Sequence, residues 1–328
     1  MVPSHAFLIL SRREVESLVS LRDAMVAVEE AFGDLARGEA MLFPVIRERI
    51  DPYGGFFGVK AGYLASRRCL GYKGGGFWAS NRARDLAGHQ SVIMLYDPET
   101  GVPLAAIDGN YITVIRTGAV GAIAARALAR KDSRVAAMIG AGVQGAIQLA
   151  GLREVLPIEE IRCYDKDGAA AELFASEAAS AGLRATASRT AAAAVDGADI
   201  VVTATPSFQA IIEAAWIRPG MHINAFGADT RGKQEIDEKL LPRVKVVTDY
   251  LPQAREIGEC QHAFRTGLID KVHAELGEIL TGGKPGRESA GEITMFDATG
   301  IALQDLAVAA RAYAAAMERG VGTRVALD

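Results

Sequence analysis

Residues 138–149, MIGAGVQGAIQL, decide how this chain is read. Gly140, Gly142 and Gly145 complete a G-x-G-x-x-G pattern, which alone is weak. Here it ends the apolar strand-like run RVAAMI and opens a stretch of helical composition. In that setting, helix-start amides face an anion, and the glycines let a pyrophosphate approach the backbone. Asp165 stands twenty residues beyond Gly145, at the end of a second apolar run, IRCYD. A carboxylate there accepts hydrogen bonds from the ribose hydroxyls and repels a 2′-phosphate, so NAD (NADH) is expected over NADP.

From this stretch outward, the runs EEIRCYD, DIVVTATP, MHINAFGAD and VKVVTDY alternate with Ala-rich or charged stretches of helical length. That alternation predicts a doubly wound parallel sheet, a Rossmann domain over 118–300. Upstream, Ser11 and Glu14 form a capping-box pattern, and Leu21, Met25, Val28, Phe32 and Leu35 recur at helical spacing until Gly38, which predicts a helical opening. Short β-type runs with turns fill about 40 to 110, and ITVIRTGAVGAIAARALAR (112–130) reads as a helix entering the next domain. The last segment places Leu303, Leu306, Ala310, Tyr313 and Met317 on one helix face, able to dock on the first domain. The expected fold class is α/β: a Rossmann doubly wound parallel-sheet domain plus a discontinuous α+β domain, 1–117 with 301–328.

The chain has 328 residues, half of them hydrophobic, enough for a large core in two domains. With 36 Lys plus Arg against 40 Asp plus Glu, the net charge of −4 gives no global attraction for nucleic acid. No apolar run approaches a spanning helix, and the start lacks a signal-peptide pattern, so no membrane association and a cytoplasmic location are expected. Cys69, Cys163 and Cys260 are odd in number and far apart, which fits reduced, mostly buried thiols. His5, His222, His262 and His273 show no metal spacing, and Cys260 with His262 reads as structural, so no metal is expected. GADTRGKQ (227–234) falls one residue short of a triphosphate loop and ends in Gln234 where a Mg²⁺-binding hydroxyl is needed, which excludes an ATPase. Asp229, just past the strand MHINAF, sits where α/β sheets bind ligands.

Cations recur in the apolar first domain: Arg47 in FPVIRERI, Lys60 in FGVKAGY, Lys73 in LGYKGGG and Arg116 in the helix that follows. Arg47 with Arg49, and Lys60 alone, fit the wet face of a strand equally well. Lys73 is followed by Gly74 to Gly76, which remove side chains where a ligand could approach. Should these groups converge, with His89 of AGHQS as an added donor, they make a carboxylate pocket in which a lysine among cations has a lowered pKa and can move a proton.

The stretches FPVIRERI, LGYKGGG, DGNYITVIRTGAVGAIAARALAR, IGAGVQGAIQL, INAFGADTRGKQEID, IGECQHA, ELGEILTGG with PGR, and FDATGIALQD together resemble the ornithine cyclodeaminase/mu-crystallin family over nearly the whole chain. The resemblance implies a homodimer with the discontinuous domain as dimerisation and substrate domain, substrate-carboxylate contacts from Arg47, Lys73 and Arg116, and Asp229 as catalytic acid. It implies cofactor contacts from Thr117, Val143, Gln144, Asp165, Thr205, Ala228 and Thr299 beside the glycines. Where many members have a Gly-Leu-Pro-Thr type turn, this chain has LAGHQS; where many have Met-Pro, it has Lys60-Ala61. Lys60 and His89 would repel a side-chain ammonium and favour a second carboxylate. The pattern is nearest to members that reduce iminosuccinate to L-aspartate, with Lys60 and His89 on the distal carboxylate and Lys73 or Asp229 managing the nitrogen proton. The alternatives are alanine dehydrogenase or another ketimine reductase, an ornithine cyclodeaminase-type lyase, and a non-catalytic mu-crystallin-like binding protein.

Overall fold

The computed structural model describes residues 6–327 and folds as two compact units, one running through Arg116 and resuming at Ile301, the other Thr117–Gly300. His5 lies outside the described residues.

In the discontinuous unit, strand Ala6–Leu10 lies between the antiparallel strand Thr323–Ala326 and the parallel strand Pro103–Asp108. The sheet continues antiparallel through His89–Tyr96, Cys69–Trp78 and Gly55–Leu64 to its short edge strands. The helical opening is two helices, Arg12–Leu18 and Leu21–Ala36, each with its own capping box, on Ser11 with Glu14 and on Ser20 with Asp23. A single periodic reading passes over this break, because the second cap repeats the first within one apolar stretch. Extended Val19 (φ −133°) separates the helices.

The closing helix Ala302–Arg319 packs on Leu21–Ala36 and across the three longest strands. Its buried stripe runs through Leu306, Ala309, Ala312 and Ala316, whereas Met317, expected inside, is 47% exposed. Alanines let the helix approach closely, and their small side chains hide the true face from a reading based on large apolar residues.

The contiguous unit holds an eight-stranded sheet whose central six strands run in the spatial order Glu160–Tyr164, Val135–Ile139, Ile200–Thr203, His222–Ala225, Thr294–Asp297, Lys245–Thr248, all parallel. All five runs singled out in the sequence are strands of it. Thr294–Asp297, a fully buried central strand, begins with a threonine and ends with a buried aspartate, too polar to register as an apolar run. Helix Gly109–Leu128 is long and apolar enough to cross a membrane by length and composition, contrary to the expectation that no run is. It is 78% buried inside the protein, which is how the core helix of a compact fold behaves.

Candidate active site

Register places the cations of the discontinuous unit. Lys60 lies directly opposite Lys73, Arg47 opposite Gly58, and His89 opposite Phe77. Because side chains alternate between faces, all four residues project from one face of the sheet. Helix Ala302–Arg319 lies on that face: a Cβ on Gly62 or Gly71 would come within 3.0 Å of Leu303 or Leu306. From helix Gly109–Leu128, Thr113 and Arg116, one turn apart, face the same place.

The groups meet at Asp305. Its Oδ2 is 2.8 Å from Lys73 Nζ and its Oδ1 is 3.1 Å from Arg116 Nε. Arg116 Nη1 donates to Gln304 Oε1 at 2.6 Å, and Lys73 Nζ donates to Thr113 Oγ1 at 3.1 Å. Lys73 and Arg116 are each 8% exposed and Asp305 is fully buried. Burial pushes the Lys73 ammonium down to about 7; Arg116 and Lys60 add to this, and Asp305 opposes it. Burial alone would raise the Asp305 carboxyl, but Lys73, Arg116 and Lys60 hold it below the usual carboxylate range. Burial, then Lys73, lowers His89 to about 4, so near neutral pH it offers a hydrogen bond and no charge. The expected repulsion of an ammonium therefore falls to Lys60.

Asp305 is the site residue that the sequence reading missed. Its signal was present: a Gln-Asp pair inside the otherwise apolar helix ALQDLAVAA can be buried only against partners. Arg47 is on the same face but exposed, 5.7 Å over the Phe56 ring. Two of the three glycines after Lys73 have a different explanation from ligand access; Gly74, where a Cβ would meet nothing nearer than 3.4 Å, does not share it. A Cβ on Gly75 would collide with Gln90 O, and one on Gly76 with Phe56 O, so neighbouring backbones occupy that space. Two buried cations, with half-buried Lys60 beside them, outnumber the one carboxylate and leave an excess of positive charge suited to an anion. A lysine poised near neutrality can also give or take a proton.

In the contiguous unit, Gly140 (φ +110°) makes the turn out of Val135–Ile139, and helix Val143–Val155 starts at Gly142 with no side-chain cap. A Cβ on Gly145 would collide with Gly140 O, whereas none of the surrounding atoms comes within 4 Å of one on Gly142. Uncapped amides over an open glycine make a cradle for a diphosphate. Gln144 Oε1 beside it is buried without a hydrogen-bond partner. Asp165 directly follows strand Glu160–Tyr164; its Oδ2 accepts from Ala141 N at 2.9 Å and its Oδ1 from Asp167 N at 2.9 Å, tying it to the cradle. These residues fit a dinucleotide.

Of the remaining expected contacts, Val143 is exposed on the first helical turn, and the Thr117 carbonyl accepts from Gln148 Nε2 at 2.7 Å. Thr205 and Ala228 follow the adjacent strands Ile200–Thr203 and His222–Ala225. Thr299 Oγ1 donates to Asp249 at 2.7 Å and accepts from Gln253 Nε2 at 2.8 Å. Asp229 is paired with Lys233 Nζ at 2.7 Å and accepts from Thr230 Oγ1 at 3.1 Å. Gln261 and His262 brace that loop, donating to Lys233 O at 3.2 Å and lying 3.0 Å from it, respectively, which gives His262 a structural task. The three cysteines are free and buried.

The sequence profile of the ornithine cyclodeaminase/mu-crystallin family matches residues 6–320. Alanine dehydrogenase of Archaeoglobus fulgidus is 42% identical over 97% of this chain and 98% of its own length. Among solved structures, an archaeal alanine dehydrogenase dimer with bound NAD superposes with a TM-score of 0.93 at 41% identity, covering 98% of this chain and 100% of that one. Iminosuccinate reductase of Paracoccus denitrificans in complex with NAD⁺ does so with a TM-score of 0.91 at 38% identity, covering 98% and 99%.

Proposed function

Because the chain belongs to the ornithine cyclodeaminase/mu-crystallin family, we propose that it is an NADH-dependent reductase of a small imino acid, with iminosuccinate, reduced to L-aspartate, as its substrate. The observation that carries this reading is the buried set Lys73, Arg116 and Asp305 with half-buried Lys60 opposite Lys73, a cluster whose excess positive charge suits a small organic anion. The reaction joins an imine, NADH and one proton to give an amine and NAD⁺; NADH, held by the Gly140–Gly145 cradle and Asp165, supplies the hydride. Arg116, with Arg47 reaching in from the surface, holds the α-carboxylate. Lys60 and neutral His89 hold the distal carboxylate. Lys73, near neutrality and buried, delivers the proton to nitrogen. Orientation and charge neutralisation supply most of the rate.

Lys60 makes the substrate class testable. In assays of NADH and NADPH oxidation with ammonia plus oxaloacetate, pyruvate or glyoxylate, NADH with oxaloacetate is expected to be preferred. Lys60→Met should lower kcat/KM for the oxaloacetate-derived imine by roughly 10- to 100-fold, the usual worth of one charge pairing with substrate, and leave the pyruvate-derived imine within about threefold. Equal losses on both would remove the distal-carboxylate role. A wild type that prefers pyruvate would favour the second reading, alanine dehydrogenase, which the Archaeoglobus relative supports.

The face of the sheet opposite the helices supports a homodimer. Met41, Ile46, Phe57 and Val92 share that face by register and are 44% to 58% exposed, an apolar surface of the kind that marks an interface. Phe57→Glu combined with Val92→Glu should convert a dimer to a monomer in sedimentation, whereas an unchanged dimer would place the interface elsewhere.

A further inference from the structure

Two loops leave the carboxyl edge of the parallel sheet side by side. One follows Ile200–Thr203 and carries Thr205; the other follows His222–Ala225 and carries Gly227, Ala228 and Asp229. A single buried carboxylate holds both. Glu235 Oε1 accepts from Thr205 N at 2.6 Å, and Oε2 accepts from Gly227 N at 2.8 Å. Gly227 is independent testimony to the same arrangement: a Cβ there would collide with the Glu235 carboxylate and with Thr205 O.

Glu235 is itself fixed from behind. Its own amide donates to Glu259 Oε1 at 2.8 Å and that of Ile236 to Glu259 Oε2 at 3.1 Å. The Glu259 and Cys260 amides in turn donate to Asp297, both at 3.0 Å. A fully buried carboxylate is costly, and a strand edge can satisfy its amides with neutral groups at lower cost. What a carboxylate adds is two equivalent acceptors at a fixed separation, so it sets the gap between the two loops.

We propose that Glu235 is a positioning residue that clamps the Thr205 and Gly227 loops at the spacing required to grip the nicotinamide half of the cofactor. The inference rests on the NADH-dependent reading above, since ligands of such sheets bind outside the carboxyl ends of the strands. The adenosine half belongs to the Gly140–Gly145 cradle and Asp165, which Glu235 does not touch. The two halves therefore respond differently when the clamp is altered.

Glu235→Gln keeps the shape but has one acceptor oxygen for two amides, so its NH₂ confronts an N–H. In the variant without ligand, amide hydrogen exchange of Thr205, Ser207 and residues 226–229 is expected to quicken at least about tenfold, with the remaining sheet unchanged. The Kd for NADH, read by its fluorescence, should rise by about tenfold, while that for ADP-ribose stays within about twofold. Gly227→Ala, which presses on the same carboxylate, should change the same ratio and serves where the first variant folds poorly. If NADH and ADP-ribose affinities fall together or not at all, the clamp is overturned and Glu235 is structural. A wild type that binds ADP-ribose but not NADH overturns the cofactor reading, and the exchange arm then still judges the clamp.

Discussion

Replacing Lys73 with methionine is expected to lower kcat/KM for imine reduction by about 10³-fold, within the range that a positioned proton donor contributes. The loss should have a pH signature. Burial, with Arg116 and Lys60, pushes Lys73 down to about 7, while His89 at about 4 is already neutral and Asp305 is already ionised. Lys73 is therefore the group in this cluster that changes charge between about pH 6 and 9. If its proton goes to the substrate, kcat/KM is level below about pH 7 and falls tenfold per unit above it, because the charged form is lost. The residual rate of Lys73→Met should lack that limb. A variant that keeps both the rate and the limb would move the proton chemistry away from Lys73.

Asp305→Asn is expected to cost about 3–5 kcal/mol of folding stability in urea unfolding, because it leaves Lys73 and Arg116 buried without their counter-charge. The sign of its pH dependence follows from Lys73. In the folded wild type Lys73 titrates near 7, below its ordinary value, so between about 7 and 10 the unfolded chain binds more protons and stability rises with pH. Without Asp305, which raises the Lys73 value, that value falls further. At about pH 6 the variant folds only by releasing the Lys73 proton or burying an unpaired charge, whereas at about pH 9 Lys73 is neutral in both proteins. The destabilisation should therefore be larger at pH 6 than at pH 9. A difference independent of pH would mean that Lys73 and Asp305 are not energetically coupled. The alkaline limb of the residual rate should also move to lower pH.

How much of this could be read from the sequence follows what the local pattern encodes. Strands such as Val135–Ile139 and, up to its final threonine, Ile200–Thr203 are apolar on both sides because both faces of a parallel sheet are covered, so they are visible as runs. Thr294–Asp297 has the same surroundings but places Asp297 in the core to accept the amides of Glu259 and Cys260, a contact across 37 and 38 residues that no local window records. Lys73 and Arg116 were legible as oddities, cations in apolar settings; what they pair with was not, because Asp305 lies far along the chain. The glycines show the converse error. Gly75 and Gly76 invited a ligand, and it is the carbonyls of neighbouring strands that need the room.

The same sequence separation bears on the order in which the protein is built. Arg116 leaves the ribosome 189 residues before the aspartate that neutralises it, and the whole contiguous unit is synthesised in between. That unit can complete its sheet early, while the amino-terminal strands wait with Lys73 and Arg116 hydrated and their apolar face uncovered. The closing helix brings Leu303, Leu306 and Asp305 in one step, supplying the missing wall and the missing charge together. The charge cluster of Lys73, Arg116 and Asp305 is therefore completed only after the contiguous unit has been synthesised.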